Sequence, residues 1–166
     1  MERKGRNYLY GTEVASIHAS ANFTIRRPIR YGNLNVKGAS YSTSMAAEDV
    51  QRILEAAFLE KLGLAADKLS YFNIVIVIAD TFVRHHVRYL LNILFVKMRF
   101  RAAFIHLDSV MATYAMAAQT AVVVDIGGSK TTVCCIDDGV ILNKSVIKKH
   151  YGGDDISELL FRLIRS

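Results

Sequence analysis

The chain has 166 residues, 52% of them hydrophobic and only one a proline, which is length and apolar content enough for a packed domain rather than a disordered segment. A formal net charge of +6 and a pI near 9.4 favour contact with nucleic acid or another acidic surface. The longest apolar runs, such as Phe72–Ala79, fall far short of the ~20 residues of a membrane helix, and no secretory pattern is read in MERKGRNYLYGTE. Cys134 and Cys135 are adjacent, so on a strand they point to opposite faces; they read as small buried hydrophobes in a reducing compartment, excluding a disulfide framework and a cysteine-based metal site.

Residues 1–40 are the most basic part, with Arg3, Lys4, Arg6, Arg26, Arg27, Arg30 and Lys37 against Glu2 and Glu13. Alternation around Phe23–Arg26 predicts a strand that Pro28 interrupts. Arg26, Arg27 and Arg30 could grip phosphates, or form a solvated edge whose charge prevents mispairing. After a polar loop over Gly38–Thr43, the spacing of Val50, Ile53, Leu54, Ala57, Phe58 and Leu62 predicts a helix over Met45–Leu62, capped by Ser44 and stopped by Gly63. The β-branched run Phe72–Ala79 predicts a strand covered on both faces. Asp80 then caps a helix over Thr81–Met98 whose inner stripe is Val83, Val87, Leu90, Leu91, Leu94, Phe95 and Met98, with His85 and His86 as solvated surface residues that cannot clamp one metal. A strand over Ala102–Leu107 and a short helix over Ser109–Ala118 follow.

The stretch AVVVDIGGSKTTVCCIDD, Ala121–Asp138, carries the chemistry. A strand over Ala121–Ile126 brings Asp125 to a turn at Gly127 and Gly128, and a second strand, Lys130–Ile136, leaves on the other side. Glycines permit φ > 0 and close approach of main-chain N–H groups, and such N–H groups curled together suit a phosphate. A carboxylate beside phosphate is the usual holder of Mg²⁺. The candidate site is therefore Asp125, Ile126, Gly127, Gly128, Ser129 and Lys130, with Asp125 as a weak metal ligand through Mg–ATP; Gly127→Val is expected to abolish nucleotide binding. The alternative is a hairpin whose turn simply needs glycine. Lys130 then either approaches phosphate oxygens or stands at a strand edge in water. Asp137-Asp138-Gly139 turns into a further strand over Val140–Lys148, and Gly152-Gly153-Asp154 opens a last helix.

The order of elements around this hairpin resembles the actin, sugar-kinase and seventy-kilodalton heat-shock ATPase superfamily, in which two related lobes close over ATP. The runs Arg27–Leu34, Val87–Phe100, His106–Tyr114, Ala121–Gly139 and Tyr151–Ser157 are similar to actin-related proteins of nuclear chromatin-remodelling complexes. The resemblance implies an α/β, actin-like ATPase (ribonuclease-H-like) fold, of which the chain holds part of two lobes: a basic segment 1–40, the end of a first lobe 41–119, and the start of a second lobe 120–166. It also implies nuclear location, roles in transcription regulation, DNA repair and recombination, and as partners a remodelling ATPase subunit, actin and other actin-related proteins, and nucleosomal DNA and histones. No membrane partner is implied.

Three departures from actin imply a non-catalytic chain with a degenerate ATP site. Gly128 stands where actin's hairpin has a second acid, Asp108 where it has a water-orienting glutamine, and Thr132 where it has a histidine. Phosphoryl transfer depends on positioning and charge, so hydrolysis is expected to be very slow or absent, with no catalytic residue. A first phosphate hairpin is not found, and half a cleft holds ATP weakly or not at all. DIGGSKT also resembles the phosphate motif of repressor-type sugar kinases, the alternative function; there the motif lies near the amino terminus and accompanies a cysteine-rich zinc motif that is missing here.

Overall fold

A computed structural model describes residues 8–18 and 22–165, so Glu2, Arg3, Lys4 and Arg6 of the basic run lie outside the described residues. After a single helical turn, α1 (Thr12–Ala15), residues 22–27 form no strand. The Arg26 side chain is instead drawn to the next helix, 3.6 Å from Asp49 and over the Tyr41 ring. The ladder begins only past Pro28: β1 (Ile29–Arg30) pairs antiparallel with β2 (Asn33–Leu34). The two residues between them, Tyr31 and Gly32, have φ of 51° and 71°. That left-handed pair is the geometry whose twist matches a two-residue hairpin.

α2 (Thr43–Leu62) starts earlier than its periodicity suggests. Ser42, not Ser44, caps it, accepting the Met45 N–H at 3.3 Å, while Ser44 lies within the first turn and only shares a hydroxyl contact with Ser42. Gly63 ends the helix at φ 64°, as its position predicts. β3 (Asn73–Ile78) and β4 (Ala102–Leu107) are parallel, in register from Asn73 opposite Ala102 to Ile78 opposite Leu107.

The helix between them, α3, runs Arg84–Leu91 and continues as a wider π turn over Asn92–Lys97. Asp80 does not cap it: its carboxylate is taken by Ser109, and Asn33 Oδ1 accepts the N–H of Val83 at the helix start. The inner face differs from the expected stripe from the start of the helix, and the π turn resets its phase after Leu91. His86, Leu90, Ile93, Leu94 and Met98 are buried, whereas Val83 and Phe95 are exposed. His86 is therefore not a solvated surface histidine; it packs edge-on against Phe82, and burial, then the neighbouring His85, lowers its pKa and keeps the ring neutral. His85 alone faces solvent.

α4 (Asp108–Ala115) leaves β4 without a loop and buries Val110 and Thr113. The second sheet opens with β5 (Ala121–Ile126) antiparallel to β6 (Thr131–Asp137). The expected single strand over Val140–Lys148 is two pieces, β7 (Val140–Ile141) and β8 (Ile147–Lys149), both paired with β6. Between them Ser145 Oγ bonds to Cys135 N–H at 3.1 Å and to the Leu142 carbonyl at 2.7 Å, a side-chain contact that replaces the ladder. α5 (Gly153–Arg165) closes the order.

The larger core joins Leu34, Ala46, Val50, Leu69, Leu90, Leu94, Met98 and Phe100 beneath one face of the β3–β4 sheet. The smaller joins Val110 of α4 with Cys134 and Ile136 of β6. The β3 run is not covered on both faces: Val75 and Val77 are exposed while Ile74, Ile76 and Ile78 pack inward. No helix is long and apolar enough to cross a membrane among the described residues.

Candidate functional site

Two parallel strands and one hairpin bring charged groups to a single point. β3 and β4 are buried-type strands that each run directly into an acid, Asp80 and Asp108, at their carboxyl ends, where open α/β sheets place ligands. From the other sheet, β6 alternates its side chains so that Lys130, Thr132, Cys134 and Ile136 share the buried face. Asp125 lies opposite Thr132 in the β5–β6 register. The lysine thus enters the interior beside two carboxylates, those of Asp125 and Asp108.

Lys130 Nζ donates to Asp125 Oδ2 at 2.7 Å, to Asp108 Oδ2 at 3.2 Å and to Thr132 Oγ1 at 3.5 Å. Its side chain is 11% exposed, against 29% for Asp108 and 44% for Asp125. Burial alone would lower its pKa; the hydrogen bonds and charges of Asp125 and Asp108 together outweigh that and raise it, so the ammonium stays charged. The same ammonium and the burial of its site lower the pKa of Lys148, opposite Thr132 on β8, with burial the larger cause. Lys130 is therefore not a strand-edge lysine in water.

Asp108 is fully engaged. Its other oxygen accepts the main-chain N–H of Asp80 at 3.0 Å and of Ser109 at 3.0 Å. Asp80 accepts the Ser109 hydroxyl at 2.6 Å, and Cys134 Sγ lies 3.7 Å from its second oxygen. Burial pushes the Asp80 carboxyl up, the Ser109 hydroxyl opposes it and Asp108 adds to it. Burial also raises the Cys134 thiol, which stays protonated.

The turn itself is held from two sides. Tyr31 N–H reaches Ser129 Oγ at 3.3 Å, and Gly32 lies under the lysine stem: a Cβ there would meet Ala79 Cβ at 2.7 Å and Lys130 Cε at 3.1 Å. On the other side α5 begins. Its first N–H groups have no partner within the helix; here Gly153 N–H bonds to the Gly127 carbonyl at 3.0 Å and Asp154 N–H to the Gly128 carbonyl at 2.8 Å. Asp155 reaches back to the Gly152 N–H at 2.8 Å, one half of a capping box. The steric demand for glycine is consequently at Gly152, where a Cβ would lie 2.2 Å from the Gly127 carbonyl oxygen. Gly127 and Gly128 do not adopt positive φ, and a Cβ on Gly127 would make only an ordinary 3.4 Å contact. The turn thus does not need φ > 0, contrary to the expectation from its glycines.

The residues present do not fit a divalent ion at Asp125. Lys130 Nζ already sits 2.7 Å from Asp125 Oδ2 and 3.2 Å from Asp108 Oδ2, so an ion at ~2.1 Å from Asp125 would have to share both carboxylates with an ammonium about 5 Å away or less. Among the described residues no group of His, Cys, Asp and Glu is arranged to hold a metal. Sequence reasoning placed Asp125 to Lys130 here and missed Asp80, Tyr31, Gly32 and Gly152 as parts of the same assembly. Asp80 had a signal, an acid directly ending a buried strand, as Asp108 does; the contacts of Gly32 and Gly152 had none.

A parallel βα pair passing through a short helix into an antiparallel hairpin, with acids at the strand ends and a glycine turn between them, is one part of an actin-type ATPase fold. The chain belongs to the actin family, whose model matches residues 2–166. It is 33% identical over 159 residues to actin-related protein 8 of Danio rerio, aligning 95% of this chain with 26% of that protein. The human protein of that name is 32% identical with the same coverage, and that of Drosophila melanogaster 36% identical over 147 residues, 87% of this chain and 24% of the relative. The solved structure of human actin-related protein Arp8 in its ATP-bound state superposes with a TM-score of 0.80 at 33% identity, over 83% of this chain and 28% of that one. The chain spans about a quarter of the length of the curated relatives it matches.

Proposed function

We propose that this chain is part of a non-catalytic actin-related subunit of a nuclear chromatin-remodelling complex, in which the β5–β6 turn holds the phosphates of an adenine nucleotide without appreciable turnover. The observation that carries this reading is the state of Asp108. Both its oxygens are committed, one to Lys130 and the other to two main-chain N–H groups. Thr132 is 2% exposed beneath the same ammonium. Thr132 is closed off from an attacking water and Asp108 is tied to Lys130 and the main chain rather than poised toward one, and without such positioning phosphoryl transfer loses most of its catalysis. A nucleotide held in this way is a structural ligand joining lobes.

The human relative was solved in an ATP-bound state, which supports an adenine nucleotide as the ligand. The net charge of +6 supports engagement of nucleosomal DNA through its phosphates, a salt-sensitive and sequence-independent mode, although Arg26 is already occupied by Asp49. The remodelling ATPase subunit, actin, other actin-related proteins and histones are the partners this role requires. The sugar-kinase alternative has no specific observation in its favour.

The test is calorimetric titration of ATP into the chain, with phosphate release followed in parallel. Binding without release supports the reading. Release of phosphate at enzymatic rates, above all if a sugar accelerates it, overturns it in favour of the kinase.

A further inference from the structure

The acids at the strand ends and the hairpin form the kind of carboxylate pair that elsewhere collects a divalent cation, yet the space between them is filled from within. Lys130 Nζ sits 2.7 Å from Asp125 Oδ2 and 3.2 Å from Asp108 Oδ2, with Thr132 Oγ1 at 3.5 Å as a third acceptor. An ammonium has three protons and no other need, so these oxygens satisfy it. The stem has little freedom to swing away, because Gly32 lies directly under it and its side chain is 11% exposed. Its position on the buried face of β6 follows from the strand register, which also buries Thr132, Cys134 and Ile136.

We infer that Lys130 takes the place of a divalent cation in this site, a built-in positive charge that bridges Asp125 and Asp108, offsets part of their negative charge and makes phosphate binding at the adjacent turn independent of metal. The inference rests on the turn being the nucleotide-phosphate site, but its first half, an ammonium excluding a metal ion, stands on the geometry alone. The ligand class is a nucleoside polyphosphate free of divalent metal. Its phosphates meet the turn's main-chain N–H groups, and the buried ammonium, a charge covalently part of the chain, acts on them through space.

The test begins without nucleotide. Mn²⁺ is titrated into the full 166-residue chain and its free signal followed by electron paramagnetic resonance, for the wild type, Lys130→Met and the double variant Lys130→Met/Asp125→Asn. The wild type is expected to retain no Mn²⁺. Lys130→Met, which keeps the apolar stem, is expected to bind it, and the double variant to lose it again. Thermal unfolding gives the same answer independently: the melting temperature of the wild type is unchanged between EDTA and Mg²⁺, and that of Lys130→Met rises in Mg²⁺.

ATP titrations then address the ligand. The wild type should bind with the same affinity in EDTA as in Mg²⁺. Lys130→Met should fall by roughly 10-fold or more in EDTA, because the uncompensated Asp125 and Asp108 charges then repel the phosphates, and regain affinity in Mg²⁺. One-to-one Mn²⁺ binding by the wild type that Asp125→Asn removes would overturn the inference, as would a folded Lys130→Met that takes up no Mn²⁺. If Lys130→Met does not fold, the wild-type Mn²⁺ titration decides by itself. ATP failing to bind in either buffer, with the Mn²⁺ results as expected, would refute the nucleotide reading and uphold the replacement of the cation.

Discussion

Replacing Gly152 by alanine tests the junction between α5 and the hairpin turn. A methyl there would lie 2.2 Å from the Gly127 carbonyl oxygen and 2.7 Å from that of Gly128. Both obstacles are main chain, so neither can rotate aside, and the start of α5 must lift by about 1 Å to reach ordinary carbon–oxygen contact. That movement breaks the bonds from Gly153 N–H at 3.0 Å and Asp154 N–H at 2.8 Å. Each is worth about 0.5–1.5 kcal/mol net, with more lost if a carbonyl remains buried and unpaired. Against this, alanine restricts the unfolded chain and returns about 0.4–1 kcal/mol, since no positive φ forbids it here. The expected balance is a loss of about 1–2 kcal/mol. Urea denaturation measures it, and hydrogen exchange at the Gly153 and Asp154 amides shows where it arises. A variant within about 0.5 kcal/mol of wild type, with both amides still protected, would refute the reasoning.

Gly32→Ala meets two penalties, a φ of 71° and a contact of 2.7 Å with Ala79 Cβ, and is expected to cost about 2 kcal/mol or more; Ala79→Gly in the same chain should recover part of the loss, as denaturation midpoints would show. Ser42→Ala should destabilise α2 by about 1 kcal/mol, whereas Ser44→Ala should cost less than half of that; equal effects would place the cap wrongly. The Lys130 pKa is raised on folding, so its stabilisation is complete below the unfolded value near 10.4 and is lost as pH rises through the folded value. Lys148, lowered on folding, acts in the opposite sense, and Tyr41, raised by burial and by Asp49, loses stability in the same alkaline range. The difference between wild type and Lys130→Met from pH 8 to 11.5 isolates the first of these, and a difference independent of pH would refute it.

The secondary elements were legible because they are local. The period of Val50, Leu54 and Phe58 and the αL stop at Gly63 predict α2, and an acid ending each apolar run marks β3, β4 and β5. Errors arose where a residue answers to something distant. Asp80 reads as a helix cap until Ser109, on α4, is found to hold it, and Ser44 is displaced by Ser42 only once the helix start is fixed. The π turn at Asn92–Lys97 inserts a residue that no periodicity announces, and His86 is buried with Leu90 by the packing of α3, which its polarity does not suggest.

At the site, the order of residues was enough to put a carboxylate, a glycine turn and a lysine together on one hairpin, because so short a segment cannot hold them far apart. It was also enough for the actin family, whose fold residues 2–166 match. What those groups do was settled by packing in three dimensions. Whether Lys130 faces water, phosphate or its own acids depends on Asp108, 22 positions away in sequence, arriving from a different sheet. Whether the turn needs glycine depends on α5, whose backbone packs against the Gly127 and Gly128 carbonyls and moves the steric demand to Gly152. Charge pairing and close packing act through space, and contacts of that kind leave no period in the chain.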